Sequence, residues 1–277
     1  MCDLENVVRS SIERVRGIKK LLEGIILRPN IVINIDNYNT WIEKTDLIGQ
    51  LENTLPLFHI RDAACKELCE MSFRIKSGEF NPATSTVSYG GIEISVSAAR
   101  ILAMTTHLAS YWSLYDCLTN IIGRVLGCES IRKNPMGRRN PKLMEAFLLD
   151  EKSGIDPLGL RDILLKSYCN YIGFSYLLRN CYVHEGGMVN CQSILSTGIV
   201  DDAFFVDDDV AEKLNKEITA RYKIPNVTIV KEGNLIKQLQ DCNAKLDDMF
   251  ISLLRFMTGT LAVEIEAFAT NDGFKLS

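Results

Sequence analysis

The sequence lacks any run of apolar residues long enough to cross a membrane. A membrane helix needs about 18 uninterrupted apolar residues, and the nearest approach, residues 249–263, is interrupted by Arg255. The N-terminus also lacks the features of an export signal. Met1-Cys2-Asp3-Leu4-Glu5 runs directly into a charged helical pattern, with no short apolar core and no small-residue cleavage site. We therefore expect a cytoplasmic protein with no membrane partner.

Motifs that bind cofactors or activate nucleophiles are missing as well. There is no phosphate loop, no dinucleotide-binding glycine pattern, no nucleophile elbow and no Cys-x-x-Cys. The nine cysteines are odd in number and scattered through apolar helical patterns, so we expect them to be reduced and mostly buried. Cys65 and Cys69 could form half of a metal site, but no second Cys or His pair has matching spacing. The sequence therefore predicts no cofactor and no metal.

Charge is nearly balanced over the chain but segregated along it. The 277 residues are 47% hydrophobic and 24% charged with a net charge of −4, which is typical of a globular protein and excludes a uniformly basic coat for nucleic acid. Residues 132–142 nevertheless carry five cations and no acid, whereas residues 201–209 carry five aspartates. Any binding of nucleic acid is therefore expected from a local basic segment.

Apolar residues recur at three- and four-residue spacing over most of the chain, a pattern typical of amphipathic helices. It predicts helices over residues 3–27, 92–127, 160–184 and 235–270, and a helical region at 41–73 that is broken near Pro56. Residues 188–233 contain two strand-like runs, 203–206 and 226–230. The expected fold is mainly α, a helical bundle. It has an N-terminal helical extension (1–76), a Ser-, Gly- and Pro-containing boundary (77–91) and a helical core (92–270) with a small β-containing insertion at about 188–233.

One motif stands out at the end of the predicted helix 160–184: Arg179-Asn180-Cys181-Tyr182-Val183-His184-Glu185-Gly186-Gly187. Asn180 and His184 are four residues apart and share a helical face, which the long Arg179 side chain can reach. A guanidinium can clamp a phosphate through two hydrogen bonds, and an imidazole can move a proton near neutral pH. An Asn amide can orient the phosphate or fix the His rotamer. These are the minimum parts for breaking an RNA phosphodiester without a metal.

This order of Arg, Asn, three residues and His, late in a long helix, resembles the Arg-(four to six residues)-His signature of HEPN domains. The resemblance covers residues 92–270 and implies a helical domain. Many HEPN domains are metal-independent ribonucleases of toxin–antitoxin, CRISPR and antiphage systems. The resemblance also implies a homodimer in which two copies of the motif form one composite site. Toxins controlled by a nucleotidyltransferase antitoxin carry a Tyr two residues after the His. That position is Gly186 here, so this control is not expected.

The resemblance assigns roles to four residues. His184 would be the general acid or base, Arg179 the clamp on the transition state and Asn180 the positioning residue. Many members also carry an acid in the first core helix, followed four positions later by Lys or Arg. Asp116 matches the acid, but position 120 is Asn and the nearest base on that face is Arg124. Asp116 therefore either orients the motif or is a helix-interior Asp bonded to a Tyr hydroxyl or a partner subunit.

The basic segment 132–142 is the expected substrate-binding loop. Its cations would supply the salt-dependent part of RNA binding, and they are Arg132, Lys133, Arg138, Arg139 and Lys142. The alternative is a solvated loop, which is the usual state of a charged run.

Three other features are weaker candidates. His59 and His107 are isolated on helical segments and are expected to be packed or hydrogen-bonded rather than catalytic. The aspartates of residues 201–209 could hold Mg²⁺, but solvated turns or a helix N-terminus explain them better.

The sequence thus predicts a metal-independent endoribonuclease of toxin or antiphage-defence type, with RNA as substrate and an antitoxin or regulatory protein as a further partner. The main alternative is a catalytically inactive HEPN-like module that binds RNA, a nucleotide or a protein. In that case Arg179 and His184 only stabilise a helix C-terminus, where cations are favourable. A third alternative is a purely structural helical subunit that uses residues 3–27 to bind a partner.

Overall fold

The computed structural model describes residues 2–26, 31–33, 42–81, 84–125, 179, 189–196, 199–206, 216, 235–271 and 274–276. Most of these residues lie in four long helices: α1 (Cys2–Ile26), α2 (Ile48–Lys76), α3 (Val96–Val125) and α4 (Leu235–Asn271). The strands are β1 (Ile31–Ile33), β2 (Thr86–Tyr89), β3 (Ile92–Ser95), β4 (Val189–Ser196), β5 (Ile199–Val206) and β6 (Phe274–Leu276). The fold is mainly α with a small β-containing insertion, which confirms the predicted class.

The strands pair two by two, and each pair is antiparallel. β1 pairs with β6 from the other end of the chain, with Ile31 opposite Leu276. β4 and β5 form a hairpin in which Val189 lies opposite Val206. This hairpin falls within the predicted insertion and is longer than the strand expected at 203–206. The strand expected at 226–230 lies outside the described residues.

α1 forms where the sequence predicts it and buries the predicted face. The buried side chains recur at three- and four-residue spacing: Leu4, Val8, Ile12, Val15, Ile18 and Leu22. Full burial of an aliphatic side chain contributes roughly 1.5–3 kcal/mol, so this one stripe is a large part of the packing energy around α1. Arg16 on the opposite face pairs with Glu52 of α2 at 2.8 Å. α1 is therefore held by an apolar face and by an exposed ion pair that adds little.

The region between α2 and α3 is a hairpin, and here the predicted helix start is wrong. Tyr89 lies opposite Ile92, and the two-residue loop between them is Gly90-Gly91, with φ values of 58° and 85°. A loop with positive φ at both positions matches the twist of the strands it joins and strongly favours glycine. Residues 92–95 therefore belong to β3. α3 begins at Val96 because the Ser95 hydroxyl accepts a hydrogen bond from the backbone N–H of Ala98 at 3.2 Å, which caps the helix.

The predicted break near Pro56 is also wrong. α2 runs through Pro56 without a break. Proline removes one backbone hydrogen bond and crowds the carbonyl four residues earlier. Buried side chains on both sides, Leu51 and Phe58, nevertheless keep the same helix in its packed position. Burial of these side chains thus outweighs the tendency of proline to end a helix.

The chain divides into two compact units. Unit 1 comprises Met1–Pro56, Leu114–Arg161 and Leu246–Ser277, and unit 2 comprises Leu57–Ser113 and Asp162–Lys245. The boundaries fall inside α2, α3 and α4, so each unit takes its helices from several chain segments. The predicted division at 77–91 stays a prediction.

Each unit has its own apolar core. In unit 1, α1 contributes the stripe described above, α3 contributes Leu114, Leu118 and Ile121, and α4 contributes Leu246, Phe250 and Leu253. The core of unit 2 includes Phe58 and Leu68 of α2, Met104 and Leu108 of α3, and Leu239 of α4. Among the described residues, no helix combines the length and apolar character needed to cross a membrane.

Candidate functional site

The predicted catalytic motif is described at one residue. Arg179 has a helical backbone and is half-buried. Asn180 and His184 lie outside the described residues, and so does the whole basic segment, which contains Arg132, Lys133, Arg138, Arg139 and Lys142. The mutual geometry of the motif and the basic loop therefore stays a prediction.

Asp116 lies in α3, in the part of the helix that belongs to unit 1, and is half-buried. Its Oδ1 atom is buried, and its backbone carbonyl accepts a hydrogen bond from the Thr119 hydroxyl at 3.0 Å. Arg124, the base that shares the Asp116 face, contacts another acid. The Arg124 guanidinium donates to the backbone carbonyl of Asp46 at 3.4 Å and lies 3.6 Å from the Asp46 carboxylate. Arg124 is thus engaged with the segment that leads into α2.

Unit 2 buries polar residues of which the sequence analysis singled out only His107. Four of them are Arg61 on α2, Arg100 and His107 on α3, and Asn243 on α4. Burying such groups is unfavourable unless hydrogen bonds or ion pairs compensate them. We refer to His107, Asn243, Arg61 and Asp62 as the polar cluster.

A hydrogen bond between His107 and Asn243 links α3 to α4. His107 Nε2 lies 3.0 Å from Asn243 Oδ1, and the two side chains are 1% and 8% exposed. The amide oxygen can only accept, so the Nε2 atom of His107 carries the proton and donates. His107 Nδ1 is then the bare acceptor, and it has no hydrogen-bond partner among the described residues. This arrangement fixes the neutral imidazole in a single tautomer.

Burial lowers the pKa of His107 to about 4. Removal from water disfavours the imidazolium, and this is the largest effect. The hydrogen bond to Asn243 acts in the opposite direction and favours the charged form, whereas the positive charge of Arg61 disfavours it and the negative charge of Asp62 favours it. His107 is therefore neutral throughout the physiological range.

Arg61 is compensated by its own helix. Its Nε and Nη2 atoms donate to Asp62 Oδ1 at 2.9 Å and 2.7 Å, and its guanidinium carbon lies 5.2 Å from the centre of the Phe58 ring. The Arg61 side chain is 1% exposed and that of Asp62 is 28% exposed. The pair therefore keeps one end near water, which reduces the desolvation penalty that a fully buried ion pair would carry.

Cys65 and Cys69 extend the polar cluster along α2. Their thiols are hydrogen-bonded to each other, and Gln240 Nε2 of α4 donates to Cys69 Sγ at 3.2 Å. Burial, followed by the charge of Cys69, raises the pKa of the Cys65 thiol to about 12. A thiol in this state is a poor nucleophile and a poor metal ligand. Among the described residues, no group of three or more His, Cys, Asp or Glu side chains could hold a metal.

The burial and bonding of the polar cluster argue against a role of His107 in proton transfer to a substrate. A general base must reach the proton it removes, and His107 is enclosed by protein. Its neutral imidazole is instead hydrogen-bonded to Asn243 across two packed helices, and Arg61 pairs with Asp62 of its own helix. The burial of His107 and its bond to Asn243 confirm the prediction that this residue is packed or hydrogen-bonded. His59, expected to be packed or hydrogen-bonded, is exposed and therefore not packed.

A register argument could have found the polar cluster in the sequence. The buried residues of α2 alternate at intervals of three and four: Leu51, Thr54, Phe58, Arg61, Cys65 and Leu68. The same spacing on α3 includes Arg100 and His107, and on α4 it includes Asn243. Arg61 and His107 therefore occupy core positions of apolar stripes. A charged or titratable residue in such a position predicts a compensated buried group.

In comparisons with known proteins, no family model, no curated protein and no solved structure matches this chain.

Proposed function

We propose that the protein is a metal-independent endoribonuclease of HEPN type, acting as a toxin or antiphage-defence effector. The observation that carries the proposal is the motif Arg179-Asn180-x3-His184 in a chain whose described residues are mainly helical. The helical state of Arg179 is consistent with the predicted position of the motif late in a helix. RNA is the substrate, and a homodimer brings two copies of the motif into one composite site.

The reaction is a transesterification within one RNA strand. A His184 imidazole removes the proton of the ribose 2′-hydroxyl, and the 2′-oxygen attacks the adjacent phosphorus. The bond between phosphorus and the 5′-oxygen breaks, and the 5′-oxygen takes up a proton from the protonated His184 imidazolium of the second copy. The products are a 2′,3′-cyclic phosphate and a 5′-hydroxyl. Arg179 neutralises the charge that grows on the phosphate oxygens, and Asn180 positions the phosphate.

Cleavage of RNA in the presence of EDTA tests this proposal. We expect the full chain to cleave RNA, and we expect His184→Ala to reduce the rate about 10²–10⁴-fold, which is the usual contribution of a general acid or base. His59→Ala is the matched control, because His59 is an exposed histidine of α2 outside the motif. Its rate should equal that of the wild type.

Two outcomes would contradict the proposal. Equal cleavage by the wild type and His184→Ala would show that the motif does not catalyse the reaction. RNA that binds without being cleaved, at equal affinity in both proteins, would instead favour the inactive binding module.

A further inference from the structure

A groove between α1 and α4 in unit 1 combines two cations with neutral polar side chains. It encloses about 280 Å³, and its polar lining consists of Asn6, Ser10, Ser11 and Arg14 from α1 and Arg255 and Thr258 from α4. Among the described residues, none that lines the groove carries a carboxylate. In a chain with net charge −4, this is a local site of positive charge.

The two arginines of the groove differ from their neighbours on α1. Arg9 pairs with Glu5 at 2.7 Å, and Arg16 pairs with Glu13 at 2.6 Å and with Glu52 at 2.8 Å. Arg14 and Arg255 are exposed, and their side chains form no hydrogen bond or ion pair with any residue in the described part of the chain. Two guanidiniums of one groove are thus available to a ligand.

The floor of the groove is formed by buried, uncharged hydroxyl groups. Ser11 and Thr258 are buried, and their hydroxyls donate to backbone carbonyls of their own helices, Val7 and Leu254, at 2.8 Å each. The Ser10 hydroxyl at the exposed side is a further donor. A fixed polar floor with donors at the rim suits a ligand that carries several acceptor oxygens.

The charges define the class of ligand. A guanidinium presents planar donors that match the oxygens of a phosphate, and two guanidiniums balance the two negative charges of a phosphate monoester. The volume is near the lower end of the range for small-molecule sites, about 300 Å³, so it accommodates more than a bare ion. We propose that this groove binds a phosphate monoester, either of a free nucleotide or at the 5′ end of an RNA strand. The site contains no residue of the motif and does not depend on the proposed ribonuclease activity.

Calorimetric titration of the full chain with AMP, with inorganic phosphate and with adenosine tests the site. We expect AMP and phosphate to bind and adenosine, which lacks the phosphate, not to bind.

Arg14→Gln and Arg255→Gln should each reduce the affinity for AMP about tenfold, because a hydrogen bond to a charged group contributes about 1.5 kcal/mol or more. Arg9→Gln is the matched control, since Arg9 is an exposed arginine of α1 outside the groove, and its affinity should be unchanged. All three arginines are exposed, so the variants should fold, which circular dichroism checks.

A second titration distinguishes the two sources of the phosphate. Oligonucleotides of 2′-O-methyl RNA, with and without a 5′-phosphate, cannot be cleaved by 2′-oxygen attack and so report binding alone. Binding that requires the 5′-phosphate and is lost in Arg14→Gln assigns the groove to RNA ends. Binding of AMP without binding of these strands assigns it to a free nucleotide.

The proposal is wrong if AMP, phosphate and the 5′-phosphorylated strand all fail to bind the wild type. It is equally wrong if they bind the wild type and both groove variants with the same affinity. Failure of RNA cleavage with intact AMP binding would overturn only the proposed ribonuclease activity.

Discussion

His107 shows how the surroundings of a single residue set its protonation in this protein. Its imidazole is enclosed, donates to Asn243 and has a pKa lowered to about 4, mainly because burial disfavours the imidazolium. In the unfolded chain the same group titrates at about 6.5. The unfolded state therefore binds more protons than the folded state between these two values, and the stability of unit 2 is linked to pH.

We expect the contribution of His107 to the free energy of unfolding to be fully present above pH 6.5 and to be lost as the pH falls towards 4. The loss is about 3 kcal/mol, since one pKa unit corresponds to about 1.4 kcal/mol. His107→Gln keeps a donor for Asn243 but does not titrate. Urea unfolding at pH 7, 5.5 and 4.5 measures the effect, and the stability difference between wild type and His107→Gln should shift towards the variant as the pH falls. A difference that does not change with pH would contradict the buried neutral imidazole.

At the residue scale, sequence patterns are informative where a side chain repeats the character of its stripe. The apolar face of α1 was predictable residue by residue from Leu4 to Leu22. For Arg61 two signals conflict, because periodicity places it in the core while its charge alone predicts exposure. Its burial depends on Asp62 and Phe58, whose contacts arise only in the folded helix. The exposure of His59 contradicts only the expected packing. A histidine fits a buried or an exposed position, so its place on the face of α2 decides which one it takes.

At the scale of elements, local chemistry and tertiary packing compete, and each prevails once. Gly90-Gly91 and Ser95 set the hairpin and the start of α3 by local means, through positive φ and a helix cap. In α2, packing prevails over Pro56. Sequence reasoning missed the hairpin because the isoleucines of 92–95 also fit the helical stripe that follows. The sequence analysis predicted a break in α2 because it treated Pro56 as a helix boundary and did not consider the buried side chains on either side.

Two glycine substitutions separate these effects. Gly90→Ala should destabilise the protein by about 1–2 kcal/mol, because an L side chain is unfavourable at φ 58°. Gly17→Ala should stabilise it by about 0.5–1 kcal/mol, because Gly17 lies inside α1 and an added Cβ meets nothing within 4 Å. Urea unfolding of both variants measures the two shifts. Equal signs would contradict the assigned backbone conformations.

At the scale of the whole molecule, composition and periodicity predict the fold class and the bounds of the first and last helices. The last helix was expected over 235–270 and extends over Leu235–Asn271. Long-range pairings such as β1 with β6 were not predictable, because three-residue strands carry almost no pattern. The groove between α1 and α4 was missed for a related reason. Arg14 and Arg255 are 241 positions apart in the sequence, and neither is unusual until both helices are in place.

The central claim about the molecule concerns the chemistry of Arg179, Asn180 and His184. The most direct measurement is mass spectrometry of the ends produced when the full chain is incubated with RNA in EDTA. The account predicts 2′,3′-cyclic phosphate and 5′-hydroxyl ends, formed at equal rates by wild type and His59→Ala and about 10²–10⁴-fold more slowly by His184→Ala. Ends with 3′-hydroxyl and 5′-phosphate would contradict it. Cyclic-phosphate ends formed by His184→Ala as fast as by wild type would contradict it as well.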